Sequence, residues 1–304
     1  MRRKYVVLSM LLTLVLMSTI SCQPSVTSTK KSIVVTYSVL GSVVRELVGE
    51  KATVTVPMPN GLDPHEWEPS ARDIETFNKA DLVIENGLGL EGGMEKALDS
   101  ARSKGVKFFT ASDYITVRHV GPGEGIPTGD PDQAIGASDP HLWSDPVAMK
   151  DIVSALVPAL MEDLNLDIAA EASDLENRLD SLNAELANIV IQVPEDNRKL
   201  VTGHESMGYF AQRYGFRLVG VIVPSLSSQA GVSAADLAAL KKAIIDNQVK
   251  AIFTEVGTSP AVAKTIADET GVKIVALTTH ALPSDGSYFT FMRNLATVIA
   301  DGLK

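Results

Sequence analysis

Asp63-Pro64-His65-Glu66-Trp67-Glu68-Pro69 has a partial copy further along the chain, Asp139-Pro140-His141-Leu142-Trp143-Ser144-Asp145-Pro146. An Asp-Pro-His-x-Trp pattern thus occurs twice in 304 residues that hold five histidines. In each copy the proline fixes its own φ and removes an N–H, so the loop presenting the imidazole is stiff before any ligand arrives. Each copy also runs into a helix start. Ser70-Ala71-Arg72-Asp73 reads as an N-cap serine with an acid three residues on, and Asp145-Pro146 as an N-cap followed by proline in the first helical position. Both imidazoles are therefore expected in strand-to-helix loops. A lone histidine there is usually a packing or surface residue; a matched pair points to a metal, for which histidine is the commonest ligand.

Outward from these loops, strand and helix alternate. β-Branched residues at 33–37 predict a strand, 39–48 a helix ended by Gly49, and 52–57 a strand leading into the first histidine loop. A strand at 81–85, a helix at 91–103 and a strand at 106–110 follow. In the second half, strands are expected at 199–202, 217–223, 250–254 and 272–277, with helices between them and a last helix from about residue 289. The pattern predicts an α/β fold of two lobes, each a parallel sheet flanked by helices. Between them, Ala169, Leu175, Leu179, Leu182, Leu186 and Ile189 share one face of a helix over 168–190, which would rise roughly 30 Å and act as a rigid connector. The expected division is 32–166 for the N-terminal lobe, 167–193 for the connecting helix and 194–304 for the C-terminal lobe. A loop at 118–138, with five glycines and three prolines, breaks the rhythm, and His119 at its start is expected to face solvent.

An apolar fraction of 45% and a charged fraction of 21% are those of a globular protein. The net charge of -10 and the lack of clustered Lys and Arg argue against a nucleic-acid partner. Arg2, Arg3 and Lys4 precede an apolar run at 5–17, a layout that reads as a secretory signal peptide over 1–21. Cys22, the one cysteine, permits no intramolecular disulfide and resembles the acylated cysteine of a bacterial lipoprotein, although Thr19 stands where such signals usually carry leucine. Residues 22–31 read as a flexible tether, so the body is expected outside the cytoplasm, in the periplasm or at the cell surface, held to the membrane by a lipid anchor.

In open parallel sheets, ligands bind beyond the carboxyl ends of the strands. His65, His141, His204 and His280 all fall there, two from each half. Four imidazole nitrogens complete a tetrahedral zinc shell and leave no position for water or substrate, which argues for carriage rather than catalysis. Imidazole suits Zn, Cu, Fe and Ni, whereas Mn prefers carboxylate oxygen. Four neutral ligands leave the ion's charge uncompensated, and Glu66, Glu205 and Glu255 are candidates to offset it and orient the imidazole N–H groups. The rival reading is a secreted metallohydrolase with three histidines, a metal-bound water and Glu205 or Glu255 as base; His-Glu-x-x-His is absent.

Together, residues 61–69, 139–146, His204-Glu205-Ser206-Met207-Gly208-Tyr209-Phe210 with Tyr214-Gly215, and Tyr288 through Asn294-Leu295 resemble the zinc- and manganese-binding solute-binding lipoproteins of bacterial ABC importers. The resemblance covers nearly all of the chain after Cys22. It implies two α/β lobes joined by one long helix, a metal ion held between them, and delivery to an ABC permease by a monomeric carrier. His65 and His141 match that family's first two ligands, and His204 matches the histidine of its zinc-type members, where manganese-type members carry glutamate. The fourth ligand is usually an aspartate after the last strand; here Thr279-His280-Ala281 stands in that place, so His280, water or another acid completes the shell. The 118–138 loop occupies the place of a His- and acid-rich loop in zinc-type members but holds only His119 with Glu124, Asp130 and Asp132. Zinc is the expected cargo, with manganese, copper or nickel as alternatives.

Overall fold

The structure, a computed structural model, describes residues 30–122, 124, 135–228 and 231–304. The expected signal peptide, Cys22, most of the tether and the middle of the 118–138 loop lie outside the described residues. Residues Lys31–Lys304 form one compact unit.

The first half opens with β1 (Lys31–Val35), α1 (Ser38–Val48), β2 (Ala52–Thr55), α2 (Ala71–Asn78), β3 (Leu82–Glu85), α3 (Glu95–Ser103) and β4 (Lys107–Thr110). The strands pair in the order β2-β1-β3-β4, all parallel, with Ile33 opposite both Val54 and Leu82. Ile33, Val34 and Val35 are fully buried, as central strands covered on both faces must be. Both helix starts form as expected. Ser70 and Asp73 exchange side-chain-to-backbone hydrogen bonds in a capping box, and the Asp145 side chain accepts from the Val147 amide ahead of α4 (Pro146–Leu164).

The helix expected over 91–103 begins later, because Gly92–Met94 forms a single 3₁₀ turn and α3 starts at Glu95. The cause is close packing. A β-carbon on Gly93 would lie 2.4 Å from the Trp67 carbonyl oxygen, so these glycines let the chain pass directly under the first histidine loop.

The long helix α5 (Ala169–Val190) follows, with Leu175, Leu179, Leu182 and Leu186 buried. It packs on α4 and α1 of the first half and on α9 (Tyr288–Leu303), the last helix of the second. Arg178 pairs with Glu46 on α1, and Glu185 receives Arg293 from α9. The connector is therefore packed along its length rather than free-standing, and one apolar core runs from β1 through α5 to α9.

The second half contains β5 (Lys199–Thr202), α6 (Gly208–Tyr214), β6 (Arg217–Val221), α7 (Ala234–Asp246), β7 (Ala251–Thr254), α8 (Pro260–Thr270) and β8 (Lys273–Ala276). β5 pairs with β6 and β7 with β8, each in parallel, while β5 lies alongside β7. The spatial order β6-β5-β7-β8 repeats that of the first half. Here the expected single sheet is two hydrogen-bonded pairs, and the β5–β6 register shifts between Leu200 and Val201. A smaller core of Val201, Ile252, Leu240, Ile244 and Ile266 fills the space under α7 and α8.

Candidate metal centre

His65 follows β2, His141 precedes α4, His204 stands just past β5 and His280 just past β8. All four side chains are buried, and one ring nitrogen from each lies within 4.8 Å of the others. His65 Nε2 is 3.2 Å from His141 Nε2, which in turn is 3.2 Å from His204 Nε2. Nitrogens at about 2.0–2.1 Å from a tetrahedral zinc stand roughly 3.4 Å apart, so these separations match a shared ion. His280 Nε2 is buried with no hydrogen-bond partner, as suits a lone pair facing a Lewis acid.

Hydrogen bonds on the far side of the rings fix which nitrogen faces inward. Asp139 Oδ1 lies 2.8 Å from His141 Nδ1 and also accepts from the His141 amide. A carboxylate can only accept, so Nδ1 carries the proton and Nε2 presents its lone pair. Asp139 is held in turn by Arg118, which also pairs with Glu124. In the second half Glu255 governs both rings. Its Oε1 accepts from the amides of Gly203 and His204 and lies 3.4 Å from His204 Nδ1. Its Oε2 accepts from the Thr279 hydroxyl at 2.6 Å, and that hydroxyl, having donated, accepts from His280 Nδ1 at 2.9 Å.

The electrostatics follow from this. Burial, then repulsion among the imidazoles, holds His65 well below the ordinary histidine value. Burial also lowers His141 against the pull of Asp139, and burial with His204 pushes His280 down to about 4. These three are neutral and ready to ligate at pH 7. Burial opposes protonation of His204 as well, but Glu255 outweighs it and raises that ring. Burial would raise Glu255, yet His204, His280 and Thr279 together keep its carboxyl far below the usual range.

The halves meet around the cluster. The Asn60 side chain donates to the Leu282 carbonyl at 2.9 Å and accepts from the Leu282 amide at 2.8 Å. Trp143 Nε1 donates to the Thr279 carbonyl, while Tyr288 donates to the Trp143 carbonyl. The second Asp-Pro-His-x-Trp motif therefore locks its tryptophan onto the loop that carries His280.

Of the outer acids, the structure brings Glu255 to the imidazoles. Glu205 is buried beside His204, with its amide on the Ser225 carbonyl. Glu66 departs from the expectation, because its side chain is exposed and makes no hydrogen bond to a histidine. Adjacency to His65 in the chain does not by itself bury a side chain against that ring. His119 is exposed, as expected, with Nδ1 3.1 Å from the Gly136 carbonyl. Asp139 and Thr279 escaped the sequence reading. The signal for Asp139 lay in the motif itself, since an aspartate two residues before a histidine can reach that residue's amide as an Asx turn.

Two parallel-strand halves whose loops bring four buried imidazoles together define the class, a metal-binding protein. A profile of the family described as "Zinc-uptake complex component A periplasmic" matches residues 33–302. The chain belongs to this family, the metal-binding substrate-binding proteins of ABC importers, and is a binding protein rather than an enzyme. It is 26% identical over 279 residues to the manganese-binding lipoprotein MntA of Halalkalibacterium halodurans, covering 89% of this chain and 88% of that one. To the iron-binding protein YfeA of Yersinia pestis it is 28% identical over 257 residues, 82% of this chain and 77% of that protein. The periplasmic zinc-binding protein TroA of Treponema pallidum shares the fold, with a TM-score of 0.72 at 22% identity over 90% of this chain and 99% of that one. The rival hydrolase reading falls with the family assignment.

Proposed function

We propose that this protein captures Zn²⁺ outside the cytoplasm and delivers it to an ABC permease, holding the ion through Nε2 of His65, His141, His204 and His280. The observation that carries this reading is the donor set, four imidazole nitrogens within 4.8 Å of one another with no carboxylate oxygen in the group. Nitrogen donors in a tetrahedral shell suit zinc, and manganese favours oxygen. The names of the relatives include manganese and iron, so metal preference rests on the donors of this chain. Asp139, Glu255 and, through Thr279, the same Glu255 set the ring tautomers. Membrane attachment through an acylated Cys22 completes the reading, and Cys22→Ala should move the protein from membrane to soluble fractions.

Elemental analysis of the purified mature protein tests the cargo, with one zinc per chain expected. The cobalt-substituted protein should give a tetrahedral spectrum without exchangeable water. His280→Ala should weaken zinc binding; unchanged stoichiometry and affinity would remove His280 from the shell.

A further inference from the structure

Asp63 and Asp139 occupy equivalent places in the two Asp-Pro-His motifs, yet their surroundings differ. Asp139 Oδ1 faces the His141 amide and Nδ1, and its Oδ2 is paired with Arg118. Asp63 Oδ1 accepts from the His65 amide at 2.9 Å, but its Oδ2 is buried with no hydrogen-bond partner. Among the described residues no Lys or Arg forms an ion pair with Asp63. That free oxygen lies against the opposite half. A β-carbon on Gly257, in the loop after β7, would stand 3.8 Å from Asp63 Oδ2 and 3.5 Å from Ser228 Cβ. Ser228 Oγ is itself buried without a hydrogen-bond partner.

A buried carboxylate with a bare oxygen costs free energy unless a positive charge faces it. Asp63 holds the amide of His65, a member of the imidazole cluster, so a cation seated among those rings is the charge its position offers. Four neutral imidazoles offer a dication no compensating charge of their own. We propose that Asp63 is a specificity-determining residue for the cargo: an unligated carboxylate of the first half that balances part of the ion's charge and so favours divalent over monovalent metal. This rests on the four-histidine reading of the site. Asp63 is outside the group of atoms close enough to share the ion, so its action is through space or through an intervening hydrogen bond. In this arrangement Glu255 supplies countercharge from the second half and Asp63 from the first.

Zn²⁺ and Cu⁺ share a filled d shell and accept imidazole nitrogen, and they differ in charge. Coulomb energy scales with that charge, so removing one carboxylate should cost zinc about twice the logarithmic loss that it costs Cu⁺. Asp63→Asn and Asp63→Ser both remove the charge while keeping an oxygen for the His65 amide. Affinities are measured by competition with chromophoric chelators, anaerobically for Cu⁺, alongside melting of the metal-free protein. The expected result is a loss of about tenfold for zinc and about threefold for Cu⁺, with little change in metal-free melting. Asp63→Glu, which restores the charge without the spacing, should recover zinc affinity to within about threefold of the native chain. Equal losses for both ions, no loss for zinc, a glutamate variant as weak as the serine one, or failure of both neutral variants to fold would give Asp63 a purely structural part and overturn the proposal. A native chain that takes up neither ion at its histidines defeats the zinc-carrier reading instead.

Discussion

His141 Nε2 and His204 Nε2 stand 3.2 Å apart although 63 residues and the whole of α5 separate them in the chain. One comes from each half. The pair sets the size of the space that the other two imidazoles complete.

Because those two nitrogens define one edge of the proposed shell, His141→Ala and His204→Ala should each reduce zinc affinity by about a hundredfold or more. Losing even an outer partner of a metal-bound histidine costs about 10–100-fold. Isothermal titration with a competing chelator reads the change. Retention of native affinity in either variant would show that the ion does not use both halves.

Glu255→Gln keeps an acceptor for the Gly203 and His204 amides but removes the charge that orients His204 and, through Thr279, His280. An affinity loss of about 10–100-fold is expected, with a broadened cobalt spectrum as the rings lose their fixed tautomer. A sharp, native spectrum would indicate that the tautomers are set elsewhere.

Proton competition should come mainly from one ring. His65, His141 and His280 are lowered and already neutral at pH 7, His280 with a value of about 4, whereas His204 is raised. Acidifying below the His204 value should therefore weaken zinc by about tenfold per pH unit, the slope for one displaced proton, steepening only as the lowered rings begin to charge. Calorimetry in buffers of different ionisation enthalpy measures the protons released per ion. The metal-free fold responds too. A histidine lowered by folding binds more protons when unfolded, so its contribution to stability is present above about pH 6.5 and lost as pH falls toward the folded value; His204 acts with the opposite sign. Three lowered rings against one raised predict a net loss on acidification, at about 1.4 kcal/mol per pH unit for each net proton, read by urea unfolding at pH 7 and 5.

Asn60→Ala removes both bonds to Leu282, a contact between the halves beside His280. Each bond is worth about 1 kcal/mol net, so the metal-free protein should lose about 1–2 kcal/mol, and zinc should leave faster as the cleft loosens. Stopped-flow release into a chelator and denaturant melts give the two numbers. An unchanged release rate would separate this bridge from cargo retention.

Removing zinc should lower stability as well. At a free concentration about a thousand times the dissociation constant, a bound ion stabilises by about 4 kcal/mol. Thermal melts with and without a chelator should show that gap, and the gap should close in the His141→Ala variant.

The local chemistry of the chain was written in its order of residues. Capping at Ser70 and Asp145, the apolar face of α5 and the alternation of strands and helices follow from interactions within a few residues of one another, so periodicity and caps reveal them. The four histidines were identifiable because parallel strands all deliver their loops to one end of a sheet. What the order of residues could not supply is who stands behind each ring. Glu66 is next to His65 in sequence and points to solvent, whereas Glu255 lies 51 residues from His204 and holds its amide. Asp63 and Asp139 sit in matching motifs, and only packing gives Arg118 to one and a bare, buried oxygen to the other. Hydrogen bonds and countercharges act over a few ångströms in space, and distance in space between remote residues is settled by the tertiary fold alone.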